Sequence, residues 1–158
     1  MKKTLLLFVV LAAIAPLNAE LTRDQLRTQA GLFMQFMKDF GTTSLEAMDR
    51  EKQDSMVAEL LAEGCTKIVN SNTIFTGRDG FIPQLITAKE TFPFWAMYVL
   101  STFVDEAQQA VTIYCEISSK SPEPTGTALI DFKALRFDAA GKISRITEVF
   151  SARGTALH

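Results

Sequence analysis

The chain has 158 residues, of which 47% are hydrophobic, and this length suits one domain with a sizeable core. Its 16 basic and 18 acidic residues leave a formal net charge of −2, with no cluster of Lys and Arg. The electrostatic footprint of a nucleic-acid-binding protein is therefore missing. Neither CxxC nor HExxH occurs, and the one histidine is His158, so we expect no metal site and no cofactor.

Residues 1–19 are typical of a secretory signal peptide. Two lysines precede the apolar run TLLLFVVLAAIA, Pro16 breaks this run, and LNAE follows. The run is too short for a comfortable membrane span. We expect cleavage after Ala19 and export of residues 20–158, as one domain with no membrane association, to the periplasm or beyond. The alternative is an uncleaved membrane anchor.

Two helices are predicted before the first strand. TRDQ at 22–25 has the form of a capping box, and apolar residues follow at helical spacing until Gly41. TSLE at 43–46 repeats the capping pattern, and a second apolar set continues to Gly64. We expect both sets to form core rather than a cofactor site. They are Leu26, Leu32, Phe33, Phe36, Met37 and Phe40 in the first helix, and Met48, Met56, Val57, Leu60 and Leu61 in the second.

The pattern then changes to strands, with one more helix among them. Residues 65–75 are rich in β-branched side chains and predict a strand. Asp79 is expected to cap a third helix, with Pro83 in or near its first turn. Further strands are predicted at 94–104, 110–118, 126–137 and 142–150, with SKSPEPTG and DAAG as turns between the last three. This order predicts an α+β fold, a bent sheet with helices on one face.

The run GKISRITEVFS at 141–151 contains an acid in an unexpected place. Strand alternation puts Glu148 between Ile146 and Phe150, on a face suited to an apolar interior. The carboxylate is then either a binding or catalytic group, or a structural Glu that is tied to a buried Lys or Asn or lies at a pocket rim. Without a partner, burial would raise its pKa and let it take up a proton near neutral pH.

Other polar residues are weaker candidates. Asp131 and Lys133 share one face of their strand, opposite three apolar residues. The simplest interpretation is a solvated or dimer-edge pair, but if that face points inward, Lys133 is the nearest plausible cation for Glu148. Three further side chains could donate hydrogen bonds to a ligand, although such residues usually face water: Asn70, Asn72 and Tyr98.

Several motifs carry a resemblance to a known family. GRDGF opening a helix, a strand after a polar turn and the closing FDAAGKISRITEVF resemble the SnoaL-like branch of the nuclear transport factor 2-like superfamily, over roughly residues 24–151. The resemblance implies a cone-shaped fold, in which three helices in the N-terminal half pack on one face of a curved, mostly antiparallel sheet that encloses a pocket. The superfamily includes isomerases, dehydratases, cyclases and epoxide hydrolases, and members that only bind or dimerise. The fold therefore leaves the function open.

The resemblance also implies which faces point into the pocket. Epoxide hydrolases of the superfamily carry an inward-facing acid at the position matching Glu148. On the strand 110–118, both the resemblance and the apolar pattern turn one face inward: Val111, Ile113, Cys115 and Ile117. The Arg and second acid of the hydrolases are missing there, the isomerase acid is missing from 65–77, and the inward His residues of dehydratases are missing throughout. No known catalytic constellation of the superfamily is complete.

We interpret the chain as an exported protein whose apolar pocket binds a small apolar ligand, with Glu148 as polar anchor, and we expect a homodimer. One alternative is a lyase, isomerase or hydrolase that uses Glu148 as general acid or base on a hydrophobic substrate. The other is a non-catalytic dimerisation module with a filled pocket. The expected ligand-binding residues are Ile146, Phe150, Val111, Ile113, Cys115, Tyr98 and Lys133.

The two cysteines are expected to be free thiols. The resembled fold places two strands between the strand of Cys65 and that of Cys115. Three strand steps of about 4.8 Å exceed the Cα separation of about 7 Å that a disulfide tolerates.

Overall fold

The computed structural model describes residues 20–118 and 128–152, so the predicted signal peptide and the turn at 119–126 lie outside the described residues. The helices are α1 (Arg23–Thr42), α2 (Arg50–Leu60) and α3 (Phe81–Thr91), and a 3₁₀ turn (Arg78–Gly80) leads directly into α3. The strands are β1 (Leu61–Val69), β2 (Asn72–Thr76), β3 (Ala96–Asp105), β4 (Ala110–Ser118), β5 (Ala128–Phe137) and β6 (Ile143–Ala152).

The six strands form one sheet in the order β2-β1-β6-β5-β4-β3. Neighbouring strands are antiparallel except β1 and β6, which run parallel. The three helices pack against one face of this mixed, open sheet, and the main hydrophobic core lies between the two layers. The predicted α+β class and the predicted helical layer are confirmed.

Helix α1 begins as the sequence predicts. The side chain of Thr22 accepts a hydrogen bond from the backbone of Gln25, and the Gln25 side chain accepts one from the backbone of Thr22. The inner face of the helix buries Phe33 and Phe36. Leu32 is 52% exposed, so its assignment to the core was wrong: it lies one position before the buried stripe and turns outward.

The second helix and the first strand differ from the prediction. Asp49, not the TSLE run, caps α2 by accepting a hydrogen bond from the backbone of Lys52. The helix ends at Leu60, and β1 begins at Leu61 rather than at residue 65. The single strand predicted at 65–75 is a hairpin, because Asn70 and Ser71 both take positive φ angles, of 47° and 69°. Two such residues in succession form the tight turn that suits a hairpin.

Helix α3 starts without the predicted cap. The N-cap position is Gly80, and no side chain, including that of Asp79, caps the helix there. A Cβ atom on Gly80 would lie 2.6 Å from the Cβ of Phe75. Close packing against β2 therefore accompanies the start of the helix.

The prediction that two strands separate the strands of the two cysteines is confirmed. Strands β6 and β5 lie between β1, which carries Cys65, and β4, which carries Cys115. Both cysteines are buried and free. None of the helices in the described part of the chain is long and apolar enough to cross a membrane.

Candidate functional site

A cavity of about 570 Å³ lies between the sheet and the helices. Nine of its thirteen lining residues are apolar: Met37, Leu85, Ala88, Phe92, Trp95, Met97, Ile117, Leu129 and Phe150. The four polar lining residues come from β1, α3, β5 and β6: Lys67, Gln84, Lys133 and Glu148. The cavity is therefore an apolar chamber with ionisable groups in its wall.

Strand register brings the charged residues together. Lys133 on β5 lies directly opposite Glu148 on β6, a position in which antiparallel side chains are in contact range. Strand β1 is the other neighbour of β6, and it brings Lys67 to the second side of Glu148. Asp131 lies two residues before Lys133, on the same face of β5. We call Lys67, Asp131, Lys133 and Glu148 the charge cluster.

The charge cluster is buried and tightly paired. The Nζ atom of Lys67 lies 3.0 Å from Oε2 of Glu148. The Nζ atom of Lys133 lies 2.6 Å from Oδ2 of Asp131 and also donates to Oε1 of Glu148. Each of the four residues is at most 3% exposed. Two ammonium groups therefore balance two carboxylates inside the protein, as buried charges require.

The cluster holds Glu148 in its ionised form. Burial alone would raise the pKa of Glu148, but the ammonium groups of Lys133 and Lys67 outweigh it and lower the pKa from 4.5 to about 2. Burial raises the pKa of Asp131 despite its contact with Lys133. Burial lowers the pKa of Lys67. Burial acts in the same direction on Lys133, but the two carboxylates together outweigh it and raise the pKa of Lys133. At neutral pH, Glu148 is a carboxylate stabilised by two cations.

The simplest sequence interpretation of Asp131 and Lys133, a solvated or dimer-edge pair, was wrong. Both side chains point inward and are at most 1% exposed, whereas the intervening Phe132 is 48% exposed. Phe132 stacks on Tyr114 on the outer face, with ring centroids 4.7 Å apart. The ion pairs of Lys133 with Asp131 and with Glu148 compensate for the burial of Asp131 and Lys133.

The residues expected to bind ligand fall into three groups. Glu148, Lys133 and Phe150 line the cavity. Four others are buried in the core but do not line it: Ile146, Val111, Ile113 and Cys115. Tyr98 alternates with the cavity-lining Met97, so it lies on the other face of the sheet.

The weaker polar candidates also lie away from the cavity wall. The Oδ1 atom of Asn70 accepts a hydrogen bond from the backbone of Phe150, at 3.0 Å. Asn72 is exposed, and its side chain donates to the carbonyl of Asn70. Within the described residues, the buried hydroxyl of Tyr98 has no hydrogen-bond partner. Asn70 thus links the β1–β2 turn to the strand that carries Glu148.

Two polar residues of the cavity were missed from the sequence. Lys67 shares a strand face with Cys65 and Val69, so alternation could have placed it inward. Gln84 follows Phe81 by three residues and precedes Ala88 by four, which places it on the inner stripe of α3. Lys67 Nζ donates to Oε1 of Gln84 at 2.9 Å. The signals were present, but one polar residue within a hydrophobic pattern is easily assigned to the surface.

The wall beside α3 is fixed by another buried lysine. Lys89 is 2% exposed, and its Nζ atom donates to the backbone oxygens of Gly41, at 3.0 Å, and Pro93, at 2.7 Å. The ammonium also lies 4.8 Å from the ring centroid of Trp95, within cation–π range. These contacts join the end of α1 to the segment that carries Phe92 and Trp95 into the cavity wall.

The described residues offer no cluster of three metal-ligating side chains. The two carboxylates of the charge cluster are already shared with lysines. The polar groups of the cavity wall, which are three residues of the charge cluster and Gln84, can form hydrogen bonds and stabilise charge.

No family model and no curated protein matches this chain. Solved structures do. A proposed isomerase of the SnoaL-like family from Agrobacterium tumefaciens matches with a TM-score of 0.59 and 14% identity, over 78% of this chain and 98% of the other. A proposed SnoaL-like polyketide cyclase from Jannaschia matches with a TM-score of 0.59 and 15% identity, over 87% and 89%. The BvnE pinacolase from Penicillium brevicompactum matches with a TM-score of 0.59 and 16% identity, over 82% and 84%.

These similarities identify the fold. The chain has the SnoaL-like, nuclear transport factor 2-like architecture that its sequence motifs resemble. At these identities the similarity establishes the fold alone. It does not assign the activity of any of these proteins to this chain.

Proposed function

We propose that this protein binds a small, mostly apolar organic molecule in its cavity, with the charge cluster and Gln84 contacting the polar end of that molecule. The observation that carries the proposal is the open cavity of about 570 Å³ with its charged wall. Ligand sites are typically chambers of this size, mostly apolar, with a few placed polar groups. The fold neighbours, which include a proposed isomerase and a pinacolase, agree with a small organic ligand.

The state of Glu148 favours binding over the enzymatic alternative. A general acid must carry a proton near the working pH. Glu148 carries none, because Lys133 and Lys67 lower its pKa to about 2. A carboxylate with such a low pKa is also a weak base. Glu148 is better suited to hold the two lysines in place than to transfer protons.

The open cavity also favours a ligand over the third alternative, a dimerisation module with a filled pocket. Such a module would fill the space between sheet and helices with large side chains. Here the space is an open cavity of about 570 Å³, and one of the residues that line it is the small Ala88 of α3. Sedimentation equilibrium tests the expected homodimer.

We further propose that the protein is exported, as the charged start and short apolar run of residues 1–19 indicate. The ligand would then be met in the periplasm or outside the cell. We expect the two cysteines to stay reduced there despite the oxidising conditions. They are buried and lie three strand steps apart, which is too far for a disulfide within one chain.

Native mass spectrometry of the purified protein tests binding most directly. We expect an added mass that is lost on denaturation. The single tryptophan of the chain, Trp95, lines the cavity, so its fluorescence reports titrations with small apolar compounds. Ala88→Phe would fill the cavity and abolish both signals, whereas the exposed Ala47→Phe would preserve them. Absence of a retained molecule together with no Trp95 response to any compound would overturn the proposal.

A further inference from the structure

The hydrogen-bond donors at the cavity wall are not all used. Lys67 has three N–H groups; one donates to Gln84 and a second faces Glu148. The Nζ atom also lies 5.8 Å from the centroid of the Phe81 ring. Within the described residues, one N–H of Lys67 thus has no oxygen partner.

Gln84 also has unused donors, and its orientation is determined. A lysine ammonium can only donate, so the amide oxygen of Gln84 must face Lys67 and the amide nitrogen must point away. That nitrogen donates no hydrogen bond to the described part of the chain. Gln84 is half-buried, and both Gln84 and Lys67 line the cavity.

The charge balance limits what these donors can accept. Lys67 and Lys133 already neutralise Asp131 and Glu148. A ligand carboxylate would bring a third negative charge into an apolar chamber that holds two cations. Burial of an uncompensated charge is costly, whereas a neutral carbonyl oxygen needs only hydrogen-bond donors.

We propose that Lys67 and Gln84 form a two-donor subsite for a neutral carbonyl oxygen, so that the ligand is an apolar ketone, aldehyde, ester or amide rather than a carboxylate. The inference rests on the proposed binding function and names its ligand class. In this subsite Gln84 donates an amide N–H and Lys67 donates an ammonium N–H to the ligand carbonyl. Glu148 holds Lys67 in position.

Three probes that share a phenylethyl body test the subsite. They are 4-phenyl-2-butanone, its hydrocarbon counterpart butylbenzene, and 3-phenylpropanoate. Calorimetry and Trp95 fluorescence at pH 7 measure their affinities. We expect the ketone to bind at least about tenfold more tightly than the carboxylate, because a hydrogen-bonded carbonyl is accommodated and an extra charge is not. Tighter binding of the carboxylate than of the ketone would overturn the inference.

Substitutions of Gln84 then locate the donor. Gln84→Met keeps the shape and removes the amide, and we expect ketone affinity to fall about tenfold while butylbenzene affinity is preserved. Gln84→Glu keeps an oxygen for Lys67 and removes the amide donor, and it also adds a negative charge beside Lys67. It should lower ketone affinity as well, which keeps the test available if Gln84→Met fails to fold. Gln53→Met on α2, outside the cavity lining, is the matched control.

The outcomes separate the two proposals. If butylbenzene binds and Gln84→Met leaves the ratio of ketone to butylbenzene affinity unchanged, the subsite is wrong and the binding function stands. If none of the three probes binds the unmodified protein, the subsite inference is overturned and the proposed function loses its support from this ligand class. Retained molecules in native mass spectra then decide the function independently.

Discussion

Replacement of Glu148 by Gln should destabilise the fold, although the two side chains have the same shape. Glu148 is the carboxylate that Lys67 contacts at 3.0 Å, and it shares Lys133 with Asp131. In Glu148→Gln, Lys133 keeps the carboxylate of Asp131, but Lys67 loses its carboxylate partner and is left with neutral amide oxygens such as that of Gln84. The cluster then carries one uncompensated positive charge at a site 3% exposed.

Two estimates of the loss agree. Lowering of the Glu148 pKa from 4.5 to about 2 corresponds to roughly 3 kcal/mol in favour of the ionised form in the folded state. Removal of one partner from a buried ion pair typically costs about 3–5 kcal/mol. For a chain of 158 residues, 1 kcal/mol changes the melting temperature by about 2–4 °C. We expect a fall of about 10 °C.

Thermal and urea unfolding of four variants test this: Glu148→Gln, Lys67→Met, the double variant that combines them, and Glu59→Gln. Glu59→Gln, at an exposed position on α2, is the matched control and should change stability by less than about 0.5 kcal/mol. The double variant Lys67→Met/Glu148→Gln removes one charge of each sign and leaves the Lys133–Asp131 pair intact. It should therefore lose clearly less than the sum of the two single losses. Strict additivity, or a melting temperature for Glu148→Gln equal to that of Glu59→Gln, would refute the reasoning.

The remaining predictions use other parts of the molecule. Because the folded-state pKa of Glu148 is lowered, its contribution to stability is complete above pH 4.5 and is lost as the pH falls toward 2. Unfolding measured as a function of pH should show this loss in the unmodified protein and not in Glu148→Gln. Thiol counting after denaturation without reductant should find two thiols, and a count of zero would contradict the strand order. N-terminal sequencing of exported material should begin at or near Glu20, and retention of the initiating methionine would rule out cleavage. Gly41→Ala should cost about 1–3 kcal/mol and shift Trp95 emission, because its Cβ would lie 2.4 Å from Nε1 of Trp95, whereas Gly31→Ala meets no atom within 4 Å and should be neutral or stabilising.

Local signals predicted the parts of the fold that depend on local physics. The Thr22 capping box, the helical stripe of α1 and the antiparallel strands of the C-terminal half depend on spacing along the chain, and all are present. The β1–β2 turn was missed because neither Asn70 nor Ser71 is glycine, although both have positive φ. The start of α3 was misassigned because close packing between Gly80 and Phe75, rather than a side-chain cap, accompanies it.

The charge cluster could be predicted only in part, because alternation defines two faces of a strand and does not say which is buried. On β6, the residues beside Glu148 indicated the inner face correctly. On β5, the apolar Phe132 suggested that its own face was inner, whereas Lys133 and Asp131 are buried. The deciding contact is the register of Lys133 opposite Glu148, which joins two strands and appears in neither strand alone.

The burial of four charges needs a reason other than stability. Apolar residues of similar volume are often as stable as a buried ion pair, or more so. The same face of the sheet has fully buried apolar residues on β4, β5 and β6: Val111, Leu135 and Ile146. Where the face borders the cavity, the chain instead has Lys67, Lys133 and Glu148. The carboxylates hold the amino groups of Lys67 and Lys133 in fixed positions at an apolar chamber. We infer that these donor positions are what the cluster contributes to binding.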